Sequence, residues 1–329
     1  MQPPPTVTVA VLDQYEDDLF GLIQAALPSG WAAVQARSYD EDAQLEAVQG
    51  ADVVFAGWAP VTRRVIQGAE RLRFVQKMGV GVDRVDLDAC RERGVLVARL
   101  AGVNAVPVAE HTVLFMLAAL RQLPTSDRRM RKPEWFKEEA RAFQRELRGR
   151  TVGLIGLGYV GRAVALRLRG FEVEVLYHDI REFPRELESE LGVTRAPLDE
   201  LIARSDIVSL HVPLTADTRH LLDARRLKQM KPGAVLVNCA RGGIVDEAAL
   251  VQALREGRLA AAALDVFPDE PRVNPELLGI ENLILTPHVA GATAENFAFV
   301  VRRAVDNAQR VLNEQPLQAD DIVTRGISA

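Results

Sequence analysis

From Thr151 to His288 the chain repeats one alternation, short β-branched runs separated by helical stretches. The runs "TVGLIG", "EVEVLYHD", "DIVSLHV", "AVLVNCA", "AAALDVF" and "LILTPH" come in regular succession, and "GRAVALRLRG", "LDELIARS" and "DEAALVQALREG" separate most of them. This pattern predicts α/β architecture with a parallel sheet. Six strands with crossovers are what two mononucleotide-binding halves require. The first third has its own set, with "TVTVAVLD", "ADVVFAG", "RFVQKMG" and "VLVAR" as strands. Amphipathic pieces such as "DDLFGLIQAAL" and "TRRVIQGAERL" lie between them, which predicts a second, smaller doubly wound domain.

Between the two sets lies "NAVPVAEHTVLFMLAALRQLP". Asn104 reads as its N-cap, Pro107 suits the first turn and Pro124 marks the stop. The middle is apolar nearly all round, so a helix buried between larger bodies is expected. The following "RRMRKPEWFKEEARAFQRELRGR" mixes both signs of charge and reads as a solvated arm or helix. After His288 come one long amphipathic helix, "AENFAFVVRRAVDNAQRVL", and a polar tail.

A length of 329 residues suits two domains with ordinary cores. Hydrophobic content of 48% with 26% charged residues is that of a globular protein. A formal net charge of -5 gives no electrostatic reason to expect nucleic acid or an anionic membrane as partner. The two cysteines, Cys90 and Cys239, lack metal-type spacing, so neither a zinc site nor a disulfide framework is expected. The start "MQPPPTVTVA" lacks the features of a secretory signal, and the apolar "HTVLFMLAAL" falls short of the ~20 residues that span a bilayer. A cytoplasmic protein is expected.

Chemistry concentrates at predicted strand ends. Strand "TVGLI" runs into Gly156, Gly158 and Gly161 and then a helix. Gly156 would allow the tight turn, Gly158 the approach of a pyrophosphate, and Gly161 close packing of helix on strand. Asp179 ends the next strand at the spacing of an acid that binds a ribose 2′-hydroxyl, which favours NAD(H) over NADP(H), while Arg181 close by tempers that preference. Arg241 stands just past a strand, where a guanidinium could hold a carboxylate through two parallel hydrogen bonds, although a lone arginine there is more often a structural or surface residue. Asp265 and Glu270 in "LDVFPDEP" and His288 in "LTPHVAG" complete the cluster. An imidazole beside a carboxylate is an acid/base unit whose proton can pass to a carbonyl oxygen. His111 lies on the apolar helix and reads as a satisfied core histidine.

In order, "GLIGLGYVG", "HVPLTADTRHLL", "VNCARGGIVDEAAL", "ALDVFPDEP" and "LILTPHVAG" resemble the D-isomer-specific 2-hydroxyacid dehydrogenase family. The upstream "GVGVDRVDLDACRERGVLV" and "VAEHTVLFMLAALR" extend the resemblance over nearly the whole chain. It implies a Rossmann NAD-binding domain, residues 102–290, inserted into a flavodoxin-like substrate-binding domain of residues 1–101 and 291–329. Both would be doubly wound parallel-sheet domains. It further implies that Arg241 binds the substrate carboxylate, that His288 is the proton donor in reduction and that Glu270 tunes it. Asp265 and the backbone of Cys239, Ala240 and Arg241 would contact the nicotinamide end. Tyr159 and Val160 would lie on the pyrophosphate, Val212 and Pro213 beside the adenosine, and Val80 and Gly81 against the substrate carboxylate.

The resemblance also bears on substrate and assembly. Formate-oxidising relatives carry glutamine where this chain has Glu270. Phosphoglycerate-oxidising relatives typically place an arginine-serine pair where it has Gly57-Trp58, and no added C-terminal regulatory domain is expected at this length. Arg63, Arg64 and Lys77 keep a phosphorylated substrate open. Trp58, Met78 and Val80 are expected to form an apolar wall for a small or medium 2-oxo acid. A homodimer is expected, with Trp135 as anchor of the arm or a reach into the neighbouring site. The rival reading is an NAD(H)-sensing, corepressor-like interaction protein.

Overall fold

The computed structural model describes residues 6–324; the first five residues of the start read for a secretory signal, and the last five of the polar tail, lie outside the described residues. The chain divides into two compact units, Met1–Asn104 with Ala294–Ala329, and Ala105–Thr293. The first contains β1 (Val7–Val11), β2 (Trp31–Gln35), β3 (Val53–Ala56), β4 (Phe74–Lys77) and β5 (Leu96–Ala98). The second contains β6 (Thr151–Ile155), β7 (Glu174–His178), β8 (Val193–Arg195), β9 (Ile207–Leu210), β10 (Ala234–Asn238), β11 (Leu259–Leu264) and β12 (Leu283–Leu285). After the helix Ala294–Leu312 the chain adds β13 (Ile322–Thr324) to the first unit.

Both sheets are doubly wound. The larger has the order β12-β11-β10-β9-β6-β7-β8, all parallel. The smaller has the order β13-β5-β4-β3-β1-β2 and is parallel except for its edge, where β13 runs antiparallel to β5. Successive strand residues point to opposite faces. Accordingly Val9, Val11, Val53 and Phe55 join one buried cluster, and Ala10, Leu12, Val54 and Ala56 another. In the larger sheet Val152, Leu154, Val235 and Val237 fall on one face, with Ile155 and Leu236 on the other. Two-faced burial is what a parallel sheet with crossover helices demands, and it explains the unbroken apolar runs.

Three strands go beyond the sequence expectation. The edge strand β2 is half-buried and alanine-rich, and only one of the three residues of β8 is buried, so neither carries a strong β signal. The third, β13, lies in the tail expected to be merely polar. It is fixed by Asp321, a fully buried carboxylate that accepts hydrogen bonds from the Ala101 N–H (2.7 Å), Arg303 Nη2 (2.7 Å) and Asn307 Nδ2 (3.3 Å). Asn307 Nδ2 also reaches Gln76 Oε1 on β4 (3.0 Å), tying the last helix to the sheet.

The helix Ala105–Leu120 packs on the helix Tyr159–Leu168 and on β10 and β11 of its own unit. It is less enclosed than expected, because Val106, Glu110 and Leu114 form an exposed stripe. Asn104 stands at the cap position, but its buried Oδ1 accepts no hydrogen bond. An N-cap oxygen accepts from the second or third helical N–H, and Pro107, the third helical residue, withdraws one of these two donors. The arm forms two short helices, Leu123–Met130 and Lys137–Phe143, with no buried residue, and Trp135 is 80% exposed.

Replacing Asp321 by alanine leaves the Arg303 guanidinium unpaired in a mostly buried site. Breaking such a pair costs about 3 kcal/mol or more, so Asp321→Ala is expected to lower the unfolding free energy by that amount in guanidinium titrations. A loss under about 1 kcal/mol would show that the tail is not held by this carboxylate.

Candidate active site

In doubly wound sheets, ligands bind outside the carboxyl ends of strands where the strand order reverses. In the larger sheet that point lies between β6 and β9. The glycine turn follows β6 there, and its Gly156 has φ +101°, closed to ordinary side chains. A Cβ on Gly156 would stand 2.5 Å from the His211 carbonyl oxygen past β9, and one on Gly161 would stand 2.2 Å from the Gly156 carbonyl oxygen. The helix Tyr159–Leu168 is thereby pressed onto the turn. A Cβ on Gly158, by contrast, would meet open space, the cradle a diphosphate needs. Tyr159 is exposed and Val160 half-buried on the first helical turn, while Val212 and Pro213 follow β9 at half-buried and exposed positions.

Asp179, just past β7, is tied to this turn. Its Oδ2 accepts the Leu157 N–H (2.8 Å) and its Oδ1 the Arg181 N–H (2.9 Å). The Arg181 guanidinium is largely exposed and 3.8 Å from the carboxylate.

Three strands farther along, the chemistry-bearing loops succeed one another. Asn238, the buried last residue of β10, donates from Nδ2 to the Arg241 carbonyl (2.8 Å) and accepts the Ala240 N–H at Oδ1 (3.0 Å). It thus shapes the loop that presents Arg241, a role that sequence reasoning missed although a buried polar strand end was its signal. Cys239 is buried, and burial pushes its thiol up to about 12, so it remains neutral at ordinary pH.

His288, past β12, meets Glu270 through Nδ1···Oε2 at 2.8 Å. Glu270 is itself oriented, its Oε1 accepting the Phe267 N–H (3.0 Å). His288 keeps 43% of its side chain exposed, against 15% for Glu270. A carboxylate on one ring nitrogen fixes the tautomer and leaves Nε2 to face a reactant.

Asp265, past β11, is fully buried. Its carboxylate accepts the Thr286 hydroxyl and the N–H groups of Val289 and Ala290 (2.9 Å each), so it anchors the turn that carries His288. The structure therefore brings Arg241, Asp265, Glu270 and His288 to the carboxyl edge of one sheet. His111, half-buried, meets the Thr286 Oγ1 at 3.2 Å and so is a satisfied histidine, as the sequence predicts.

Among the described residues no group of histidine, cysteine or carboxylate side chains could hold a metal ion, and no helix is long and apolar enough to cross a membrane. The model of the D-isomer specific 2-hydroxyacid dehydrogenase NAD binding domain matches residues 113–290, which include every one of these loops. The chain belongs to this family. Among similar D-2-hydroxyacid dehydrogenases, a D-3-phosphoglycerate dehydrogenase of Methanocaldococcus jannaschii is 38% identical over 291 residues, 88% of this chain and 54% of that one. A glyoxylate reductase of Pyrococcus furiosus is 40% identical over 240 residues, 71% of each chain. The chain thus spans about half the length of the phosphoglycerate dehydrogenases it matches. Among solved structures, the NAD-dependent formate dehydrogenase of Staphylococcus aureus in complex with NAD has a TM-score of 0.86 at 30% identity, over 98% of this chain and all of that one.

The first unit of this family member holds the other expected residues. Val80 and Gly81 follow β4, both half-buried. Of the expected apolar wall, Met78 is instead packed in the core with Ile23, Phe74 and Val301. Trp58 carries the Arg84 guanidinium on its ring face, 4.1 Å from the centroid, with Tyr39 edge-on at 5.1 Å. Its loop is tied to Asp13, whose carboxylate accepts the N–H groups of Gly57, Trp58 and Ala59. The cations named from sequence are committed elsewhere: Arg63 pairs with Glu92, Arg64 with Asp42 and Glu41, and Lys77 donates to the Gly57 carbonyl.

A methyl group at position 161 would force the glycine turn off the helix. Gly161→Ala is therefore expected to weaken NADH binding at least about tenfold, or 1.4 kcal/mol, in a fluorescence titration while circular dichroism shows a folded chain. Unaltered affinity would separate this turn from the cofactor.

Proposed function

We propose that the protein interconverts a 2-oxo acid and the D-2-hydroxy acid with NAD(H), acting as a reductase on a small non-phosphorylated 2-oxo acid. The observation that carries this reading is the Glu270–His288 pair at 2.8 Å on the sheet edge that also presents Arg241. Bound at the glycine turn, NADH supplies the hydride. Gly156, Gly158, Tyr159, Val160 and Gly161 hold its pyrophosphate, Asp179 its ribose, Val212 and Pro213 flank its adenosine, and Cys239, Ala240 and Asp265 lie toward its nicotinamide. Arg241 takes the substrate carboxylate in a forked pair of hydrogen bonds and stabilises the charge that develops on the 2-oxo oxygen. His288, entering with protons on both ring nitrogens, gives that oxygen the one on Nε2 and becomes neutral, while Glu270 accepts the Nδ1–H and keeps the ring's orientation. In oxidation the same nitrogen takes the proton back. On the first unit, the backbone at Val80 and Gly81 is the proposed contact for the carboxylate.

A second reading, oxidation of a phosphoglycerate-type substrate, draws on one observation: Arg84 on Trp58 puts a cation beside the loop where an apolar wall was expected. A homodimer is proposed from the run of exposed apolar side chains Val106, Leu114, Leu123, Met130 and Trp135, which a second copy would cover. A cytoplasmic setting accords with two buried, unpaired cysteines.

His288→Ala and Arg241→Ala are each expected to lower kcat by about 10²–10⁴-fold while NADH binding, read by fluorescence, stays within about threefold. Turnover at the wild-type level in either variant would remove that residue from the reaction. Monitoring NADH absorbance with glyoxylate, hydroxypyruvate, a branched-chain 2-oxo acid and a phosphorylated 2-oxo acid decides the substrate. Preference for the phosphorylated compound overturns the first reading for the second. Tight NADH binding with no turnover on any of them would support a nucleotide sensor instead.

A further inference from the structure

His288 sits at φ +54°, a left-handed conformation that a residue with a side chain rarely adopts and that persists only where its surroundings hold it. The restraint comes from Asp265. The His288 N–H donates to the Asp265 carbonyl (2.8 Å) and lies 3.1 Å from the Thr286 carbonyl. The next two N–H groups, of Val289 and Ala290, go to the Asp265 carboxylate at 2.9 Å each. The third donor to that carboxylate is the Thr286 hydroxyl.

A hydroxyl has one proton to give. Since Thr286 spends its own on Asp265, its oxygen is an acceptor toward His111, whose Nε2 lies 3.2 Å away. His111 must therefore carry a proton on Nε2. Its ring is held for this by Phe115, edge-on at 4.4 Å, on the helix Ala105–Leu120. A line of hydrogen bonds thus runs from that helix through Thr286 and Asp265 to the turn that aims His288 at Glu270.

We propose that His111 is a positioning residue for the reaction, acting through Thr286 and Asp265 to hold His288 on Glu270. Its N–H fixes the rotor of the Thr286 hydroxyl, so that the proton points at Asp265. Without that donor the hydroxyl can turn away, the buried carboxylate loses one of three donors, and the strained turn relaxes. A satisfied core histidine and a device for aligning the proton donor are then the same group. The inference rests on the proposed 2-oxo acid reduction, and one of its readouts does not need turnover.

Two variants separate packing from hydrogen bonding. His111→Phe keeps a ring against Phe115 and removes the donor, while His111→Gln returns an N–H near the place of Nε2. In His111→Phe, kcat should fall at least about tenfold with NADH affinity within about twofold of wild type, and His111→Gln should recover to within about threefold. In protein labelled with ¹⁵N-histidine, the His288 Nδ1 proton bonded to Glu270 should weaken or vanish in His111→Phe and return in His111→Gln. An intact His288 proton signal in His111→Phe, or a glutamine variant as impaired as the phenylalanine one, overturns the role. Should the wild-type protein reduce no 2-oxo acid, the proposed reaction falls, and the His288 signal still decides whether His111 holds the turn.

Discussion

Burial of both sheet faces governs everything else in this molecule. A strand covered on either side by helices has no room for charged groups along its length, so polar chemistry is driven to its ends. The larger sheet follows that constraint strand by strand: Asp179 stands past β7, Arg241 past β10, Asp265 past β11 and His288 past β12. The glycine turn past β6 is the same effect in the backbone, where absent side chains let helix and strand close to contact distance. The polar groups gather at one edge because the rest of the sheet cannot host them.

Two classes of residue act at that edge. Arg241, Glu270 and His288 are the residues proposed to meet a reactant, whereas Asn238, Asp265 and Thr286 spend their polar atoms on protein. The carboxylate of Asp265 illustrates the second class. Removed from water, it would be costly unless bonded, and three donors from the His288 turn meet that need. The same bonds that make its burial tolerable hold His288 in a conformation it would not otherwise adopt. Satisfaction of a buried charge and alignment of the His288 turn are one event.

The central strands were legible because β-branched runs of four to six residues admit few other readings, and so was the glycine turn with its acid. The edges were not. An alanine-rich, half-exposed β2 and a three-residue β8 are strands by virtue of their neighbours, and β13 depends on Asp321 meeting Arg303 and Asn307 from the preceding helix. Local rules also misled where two of them met, since the side-chain cap expected from Asn104 does not form and Pro107 withdraws one of its two possible donors. At the candidate site the residues proposed to react were readable from strand ends. The supporting ones were not, because Asn238, Thr286 and His111 have no distinguishing local pattern. Trp58 and Met78 show the same limit, for one meets Arg84 and the other faces the core only once the chain is folded.

The composition of the first unit from two chain segments has a temporal side. Residues up to Asn104 leave the ribosome with β5 lacking its antiparallel neighbour and with a sheet face still waiting for Val300, Val301, Ala304, Val305 and Ala308. All of the second unit is synthesised before that cover arrives. An incomplete sheet with an open edge is the species most prone to pair with the wrong partner. The order of synthesis therefore makes the unit that begins the chain the last to be completed, and its early strands the part of this molecule most in need of protection while translation continues.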